Sequence, residues 1–303
     1  MRVAVSGSTG LVGSEVVTVL SAEGHEVVRL VRHAPAPGEK TVRWDPEAGV
    51  IDAGGLEGCD AVVHLAGENV GAGRWTAARK AAIRDSRVKG TRLLCDALAG
   101  LARPPKTLVC ASAVGYYGDR GEEVLTEESP PGAGFLPGVC REWEAASAAA
   151  ARKGIRVVAL RIGMVLSPKG GALARMLPLF RAGLGGVLGS GKQYVSWVAL
   201  DDLTGIVLHA LSREELRGPV NAVTPRPVTN RELTEALGKV LSRPTLLPVP
   251  AFALRLAVGE MADPLLLAST RVSPRLLEET GYHFRFPELR AALRHLLGKQ
   301  EEP

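Results

Sequence analysis

Arg2-Val3-Ala4-Val5-Ser6-Gly7-Ser8-Thr9-Gly10-Leu11-Val12-Gly13 decides how this chain folds. Residues 2–6 are a short apolar run, and residues 14–23 carry apolar positions at helical spacing. The pattern reads as strand, glycine turn, helix. Gly7 makes the tight turn, Gly10 keeps a side chain out of the path of a pyrophosphate, and Gly13 lets the helix lie close to the strand. The free N–H groups of the helix's first turn then face the phosphates. With 35 glycines in 303 residues, spaced triplets also arise by chance, so the context decides. Here the turn follows an apolar strand, opens a helix that ends near Gly24, and leads to a second strand over residues 26–31, as a dinucleotide-binding unit requires.

The end of the second strand discriminates between two cofactors. A carboxylate there would accept hydrogen bonds from the ribose of NAD, whereas an arginine would pair with the 2′-phosphate of NADP. This chain has Val31-Arg32, with Arg29 and His33 close by and no acid until Glu39, which points to NADP(H).

Composition sets the outer limits. With 46% hydrophobic and 23% charged residues, the chain has a globular composition, and its length suffices for a substantial core. Residues 2–5 already belong to the first strand, leaving no signal peptide, and no apolar run is long enough to span a membrane. A cytoplasmic protein with no membrane partner is expected. The net charge of +5 is spread among interleaved acids, with no basic arm, so an anionic small ligand rather than nucleic acid accounts for it. Cys59, Cys95, Cys110 and Cys140 stand far apart without metal-ligand spacing and read as reduced, buried thiols.

Strands and helices alternate through the first two-thirds. Further strands are expected at 41–44, 60–66, 107–112 and 155–162, with helices over 75–101, where Gly90 is the place for a break, and over 139–153. This alternation implies an α/β fold with a Rossmann-type, doubly wound parallel sheet. Asp201-Asp202 read as the cap of a following helix. Residues 1–220 form the nucleotide-binding domain, with 166–195 reaching toward the substrate. Residues 221–303, rich in proline, form a smaller, mainly helical C-terminal lobe. Ligands of such sheets lie beyond the carboxyl ends of the strands, at Gly7 to Gly13, Arg32-His33, Leu65 to Glu68, Ser112 to Gly118 and Gly163 to Val165.

The glycine turn, Leu65-Ala66-Gly67-Glu68-Asn69, Ala111-Ser112-Ala113-Val114-Gly115-Tyr116-Tyr117-Gly118, Arg161-Ile162-Gly163-Met164-Val165-Leu166 and the stretch from Trp197 to Asp202 resemble the extended short-chain dehydrogenase/reductases of the NAD-dependent epimerase/dehydratase family. Arg74-Trp75, Asp85-Ser86-Arg87, Gly189-Ser190-Gly191 and Gly259-Glu260-Met261 are similar to an atypical subgroup, the epimerase family proteins with their own C-terminal domain. The resemblance covers nearly the whole chain. It implies a diphosphate cradle at Gly7, Ser8, Thr9, Gly10, Leu11, Val12 and Gly13, with Val31 and Arg32 at the 2′-phosphate. It also implies that Leu65, Ala66 and Gly67 pass the adenosine ribose and diphosphate, that Arg87 helps hold the cofactor, and that Gly163 and Met164 lie beside the nicotinamide.

Catalysis in the superfamily resembles a relay in which a lysine lowers the pKa of a tyrosine, which is near ~10 when free, while a serine or threonine holds the substrate oxygen. Here the places of that Tyr-x-x-x-Lys pair fall on Leu136 and Cys140, and the hydroxyl place falls on Ala113, one residue after Ser112. The remaining candidates are Ser112 and Tyr116, with Tyr117, Glu68 and Cys140 as further acids. The substrate would lie near Gly189 to Gln193, Trp197 and Glu260. Two readings stand: an NADP(H)-binding oxidoreductase or nucleotide-sugar-epimerase-like enzyme with a substituted proton donor, and a non-catalytic NADPH-binding regulator or sensor. A small-molecule substrate and a monomer or homodimer are expected.

Overall fold

A computed structural model describes residues 1–34 and 38–299. Its strands are β1 (Arg2–Ser6), β2 (Glu26–Val31), β3 (Thr41–Asp45), β4 (Val50–Ile51), β5 (Ala61–His64), β6 (Thr107–Ala113), β7 (Val124–Leu125), β8 (Arg156–Ile162), β9 (Met164–Leu166), β10 (Tyr194–Val195), β11 (Trp197–Ala199), β12 (Gly218–Ala222), β13 (Val228–Thr229) and β14 (Arg271–Val272). The helices are α1 (Leu11–Ala22), α2 (Ala77–Gly100), α3 (Phe135–Ala145), α4 (Ala148–Arg152), α5 (Gly171–Arg181), α6 (Leu200–Ser212), α7 (Asn230–Leu241), α8 (Ala251–Val258), α9 (Arg275–Glu279) and α10 (Leu289–Leu296).

Eight strands form one sheet in the order β12-β8-β6-β5-β1-β2-β3-β4, parallel except for the β3–β4 pair. The central strands are buried on both faces, which explains their unbroken apolar runs. On one face Val3 and Val5 pack with Val16 and Leu20 of α1 and Leu203, Ile206 and Val207 of α6. On the other, Ala4 and Val62 pack with Leu94, Cys95 and Leu98 of α2 and Ala150 of α4. Strand order reverses at β1, and the ends of β1 and β5 open on the crevice where such sheets take their ligand.

The departures from expectation have identifiable causes. Helix α2 runs unbroken through Gly90, because Trp44 fills the space beside it: a methyl group there would lie 3.3 Å from the indole. The helix expected over 139–153 is two helices, and the first starts at Phe135; Pro137 stands in its first turn, where a missing N–H is harmless. The last sheet strand runs to Ala222, past residue 220, and Pro219 is tolerated there because β12 is an edge strand. The four cysteines are buried free thiols.

Asp201 and Asp202 do not cap α6. The cap position is Ala199, without a side-chain hydrogen bond, and both aspartates sit in the first turn. Asp202 is 1% exposed and accepts hydrogen bonds from the Arg285 amide (2.7 Å), the Phe286 amide (3.0 Å) and the Tyr282 hydroxyl. It thereby ties the C-terminal residues to the sheet domain. Asp202→Ala leaves two part-buried amides unpaired and is expected to lower unfolding free energy by about 2 kcal/mol in urea titrations. Asp201→Ala should change it by about 0.5 kcal/mol or less, and equal effects of the two would contradict this assignment.

Candidate functional site

The glycine turn is a backbone-on-backbone contact. Gly7 has φ of +68°, and a methyl group on it would lie 2.8 Å from the Ala66 nitrogen and 2.9 Å from the Leu65 carbonyl carbon. A methyl at Gly13 would lie 2.1 Å from the Gly7 oxygen. Neither position admits a side chain. Gly10 differs: it is exposed, and a methyl there would meet only the Gly7 oxygen, at 3.2 Å. Gly10 is also the N-cap of α1, with no side chain bonded across the helix end. The first turn of α1 thus has no side chain capping its amides, and Gly7 just before it lies against Ala66, an arrangement fitted to a dinucleotide diphosphate. Ser8 is buried under the turn, Thr9 is exposed, and Leu11 and Val12 are half-buried.

A buried polar chain pins this contact. Ser6 and His64 are register partners on β1 and β5, and their side chains meet at 2.6 Å. His64 continues to the Thr91 hydroxyl at 3.0 Å, which also accepts from Trp143 Nε1 at 3.0 Å. Burial lowers the His64 pKa to about 4, so the ring is neutral and one nitrogen accepts while the other donates. Arg87 lies against the same segment. Its Nη1 donates to the Glu68 and Ile83 carbonyls, both at 3.0 Å, a methyl at Gly67 would touch its guanidinium at 3.3 Å, and the Trp143 ring stacks on it at 4.9 Å. Burial lowers its pKa.

At the end of β2, Val31 is half-buried, and the Arg32 side chain, 66% exposed, faces Glu47 at 3.8 Å. Glu47 comes from the β3–β4 turn and is itself 85% exposed, so the pair is weak and leaves Arg32 able to reach a phosphate. Sequence distance concealed this neighbour. At the end of β8, a methyl on Gly163 would lie 2.6 Å from the Ser196 oxygen, and the Met164 amide donates to that oxygen at 2.8 Å. Met164 is thus fixed, half-buried, opposite Trp197 of β11.

The catalytic candidates diverge. Ser112, Arg161 and Asn221 are register partners on β6, β8 and β12, and form a polar row across the sheet. Arg161 is 3% exposed and binds both oxygens of Glu144, at 2.9 and 3.0 Å. Ser112 Oγ donates to the same carboxylate at 2.7 Å. Arg161 also donates to the Tyr117 hydroxyl (2.9 Å), whose one proton lies between two acceptors, Asn221 Oδ1 (2.6 Å) and the Thr126 carbonyl (2.9 Å). Burial opposes the Arg161 charge, but its bonds to Glu144 and Tyr117 outweigh that and raise its pKa. Burial pushes the Tyr117 pKa up to about 12.

Ser112 therefore has its hydroxyl engaged, and Tyr117 is a buried structural group rather than an acid. The clue to this network was an arginine inside the apolar strand Ala159-Leu160-Arg161-Ile162, since a buried guanidinium demands a carboxylate. Tyr116 is half-buried, its ring lies 3.5 Å from the Arg161 guanidinium, and its hydroxyl has no hydrogen bond among the described residues.

Leu136 and Cys140 are buried on α3 against the turn after β6; a methyl on Gly115 would lie 3.5 Å from Leu136 and 3.9 Å from the Cys140 sulfur. Burial raises the Cys140 pKa to about 12, so its thiol stays protonated and supplies no charge. Glu68 is bound to Arg79 at 2.8 Å. Trp197, expected at the substrate, is fully buried in a core of Leu166, Leu173 and Leu237. Gln193 is also buried and donates to the Leu188 and Leu266 carbonyls. Glu260 pairs with Lys80 at 2.9 Å. Among the described residues no cluster of His, Cys, Asp and Glu could hold a metal ion, and no helix is long and apolar enough to cross a membrane.

Comparison with known proteins places this geometry in context. The profile of the NAD dependent epimerase/dehydratase family matches residues 3–222, and a second profile, a domain of unknown function, matches residues 249–296. An epimerase family protein of Mycobacterium tuberculosis is 46% identical over 293 residues, 96% of each chain. A relative from Arabidopsis thaliana, named chloroplastic, is 38% identical over 305 residues, 98% of this chain and 87% of its own. The crystal structure of the human epimerase family protein SDR39U1 (isoform 2) with NADPH superposes with a TM-score of 0.91 at 37% identity, covering 99% of this chain and all of that one.

Two outcomes follow from the geometry. Gly10→Val should weaken dinucleotide binding by about a hundredfold in calorimetric titrations while the thermal midpoint changes little, because the added side chain occupies ligand space rather than core. Unchanged affinity would refute the cradle. The second concerns Glu127, which is 8% exposed, accepts from the Asn221 amide at 3.1 Å, and leaves Oε2 buried without a partner. Burial raises its pKa. The folded protein thus favours the protonated form, and the stability this provides is full at low pH and lost as pH rises through the folded value. Relative to Glu127→Gln, which mimics the neutral acid, the wild-type protein should lose stability as pH rises above the ordinary carboxylate range. A difference that is constant with pH in thermal scans would refute this.

Proposed function

The chain belongs to the NAD dependent epimerase/dehydratase family, the extended short-chain dehydrogenase/reductases with NAD(P)-binding Rossmann domains, and from that premise we propose an NADP(H)-dependent oxidoreductase or epimerase-like enzyme that works without the tyrosine–lysine pair. The glycine turn carries this reading: Gly10 is exposed at the start of α1, and a methyl there would meet only the Gly7 oxygen, at 3.2 Å. Arg32, exposed at the end of β2, supports the phosphorylated cofactor, as does the NADPH in the human relative's crystal structure.

In this reading Gly7 to Gly13 hold the diphosphate, Val31 and Arg32 the 2′-phosphate, and Leu65, Ala66 and Gly67 the adenosine side, with Arg87 bracing that segment. Met164 borders the nicotinamide, which when bound supplies hydride chemistry. The protein's part is to orient the substrate and provide a proton. Tyr116 is the candidate donor, since its hydroxyl is uncommitted and Arg161 holds its ring; Ser112 acts through Glu144. The proposal includes a cytoplasmic monomer or homodimer acting on a small molecule, with neither nucleic acid nor membrane as partner. A second reading, an NADPH-binding sensor without turnover, is favoured by one observation: the hydroxyls of Ser112 and Tyr117 are both engaged in the buried network.

Arg32→Asp tests the cofactor half. A guanidinium can meet the 2′-phosphate with parallel charge-assisted hydrogen bonds, so the wild-type protein should prefer NADPH over NADH by about ten- to a hundredfold. The variant should reduce or reverse that ratio, with Arg29 nearby supplying residual charge. Equal wild-type affinity for the two cofactors, in titrations at fixed salt, would contradict the assignment.

A further inference from the structure

Three segments that are distant in sequence bring apolar side chains to the end of the site where the relay tyrosine would stand. Val70 and Trp75 come from the connection between β5 and α2, Phe135 and Leu136 from the first turn of α3, and Met261 and Leu265 from the residues after α8. Trp75 and Leu136 are buried with Ile83 of α2, and Val70, Phe135, Met261 and Leu265 pack against them while staying half-buried, so that part of each remains accessible. The rings of Trp75 and Phe135 meet edge to face at 5.1 Å. This wall adjoins the turn that carries Tyr116, since Gly115 lies against Leu136.

The cations around the wall are committed. Arg74 donates to the Leu256 and Ala257 carbonyls, and Arg79 to Glu68 and the Asn69 carbonyl. Lys80 bonds both oxygens of Glu260 at 2.9 Å, and Arg175 donates to the Gly71 carbonyl at 2.6 Å. A diphosphate placed here would have to displace one of these partners, and without a counter-charge its desolvation is unfavourable. An apolar group loses nothing by leaving water at such a wall.

We propose that the substrate is an uncharged, lipophilic carbonyl compound, or the alcohol made from it, received against this wall rather than a nucleotide sugar; this rests on the NADP(H) reading above. The carbonyl carbon gains a hydride from NADPH, the C=O π pair moves to oxygen, and that oxygen takes a proton from Tyr116, which is reprotonated from solvent. The carbonyl is reduced to an alcohol and NADPH is oxidised to NADP⁺.

The test uses the full chain. Decanal, acetophenone and UDP-glucose are each titrated calorimetrically into protein saturated with NADP⁺, and each is mixed with protein and NADPH while cofactor oxidation is followed; NADPH affinity is measured separately. Binding and reduction of decanal or acetophenone, with none of UDP-glucose, is the expected result. Leu265→Asp should weaken decanal binding by about tenfold through the cost of burying a charge, leaving NADPH affinity within about twofold. If that variant does not fold, Val70→Asn on the half-buried loop repeats the comparison. Preferential binding of UDP-glucose, or binding of neither class by protein that holds NADPH, overturns the substrate assignment and leaves the cofactor reading in place. Failure to bind NADPH overturns both.

Discussion

Two backbones touch at Gly7 and Ala66, and the site depends on that contact. With a methyl group excluded at 2.8 Å, the exits of β1 and β5 converge, and the start of α1 beside them carries no side-chain cap. Attraction between two backbones would not hold such an approach by itself. The neutral His64 ring bridging Ser6 and Thr91 satisfies buried polar groups on both strands and on α2, so the contact has little freedom to relax. Trp143 joins that chain from α3 and stacks on Arg87, which connects the cradle to the helix where the relay pair would stand.

A second buried network occupies the other end of the sheet. Arg161 is surrounded by Glu144, Tyr117 and the Tyr116 ring, in a row with Ser112 and Asn221. Breaking such a pair strands a charge in the core, so every member is constrained by the others. Polar groups in this row are therefore largely committed to one another, and the Tyr116 hydroxyl beside them has no hydrogen bond among the described residues.

Much of the fold was legible in the sequence because strand and helix patterns are local. Residues 2–6, 26–31 and 107–112 are apolar runs, and the glycine turn needs only residue types at fixed spacing. Less was legible where long-range partners decide. Asp202 reads as a cap in isolation, yet its carboxylate is claimed by amides more than eighty residues away. The helix expected from residue 139 starts at Phe135, with Pro137 accommodated in its first turn. Arg87 is placed at the cofactor by resemblance, but its contacts with Gly67, Trp143 and the Glu68 carbonyl come only from the fold. Glu144 carries no signal in the sequence, and its role as partner of Arg161 and Ser112 arises from packing α3 onto β6 and β8.

Amide hydrogen exchange with and without NADPH tests the central claim, a preformed cradle between the exits of β1 and β5, most directly. The account predicts added protection confined to residues 7–13 and 65–67 and the end of β2, with the central strands unchanged because they are already closed. Protection absent from residues 7–13, or appearing instead on the open surface around Glu235 and Arg243, would contradict it.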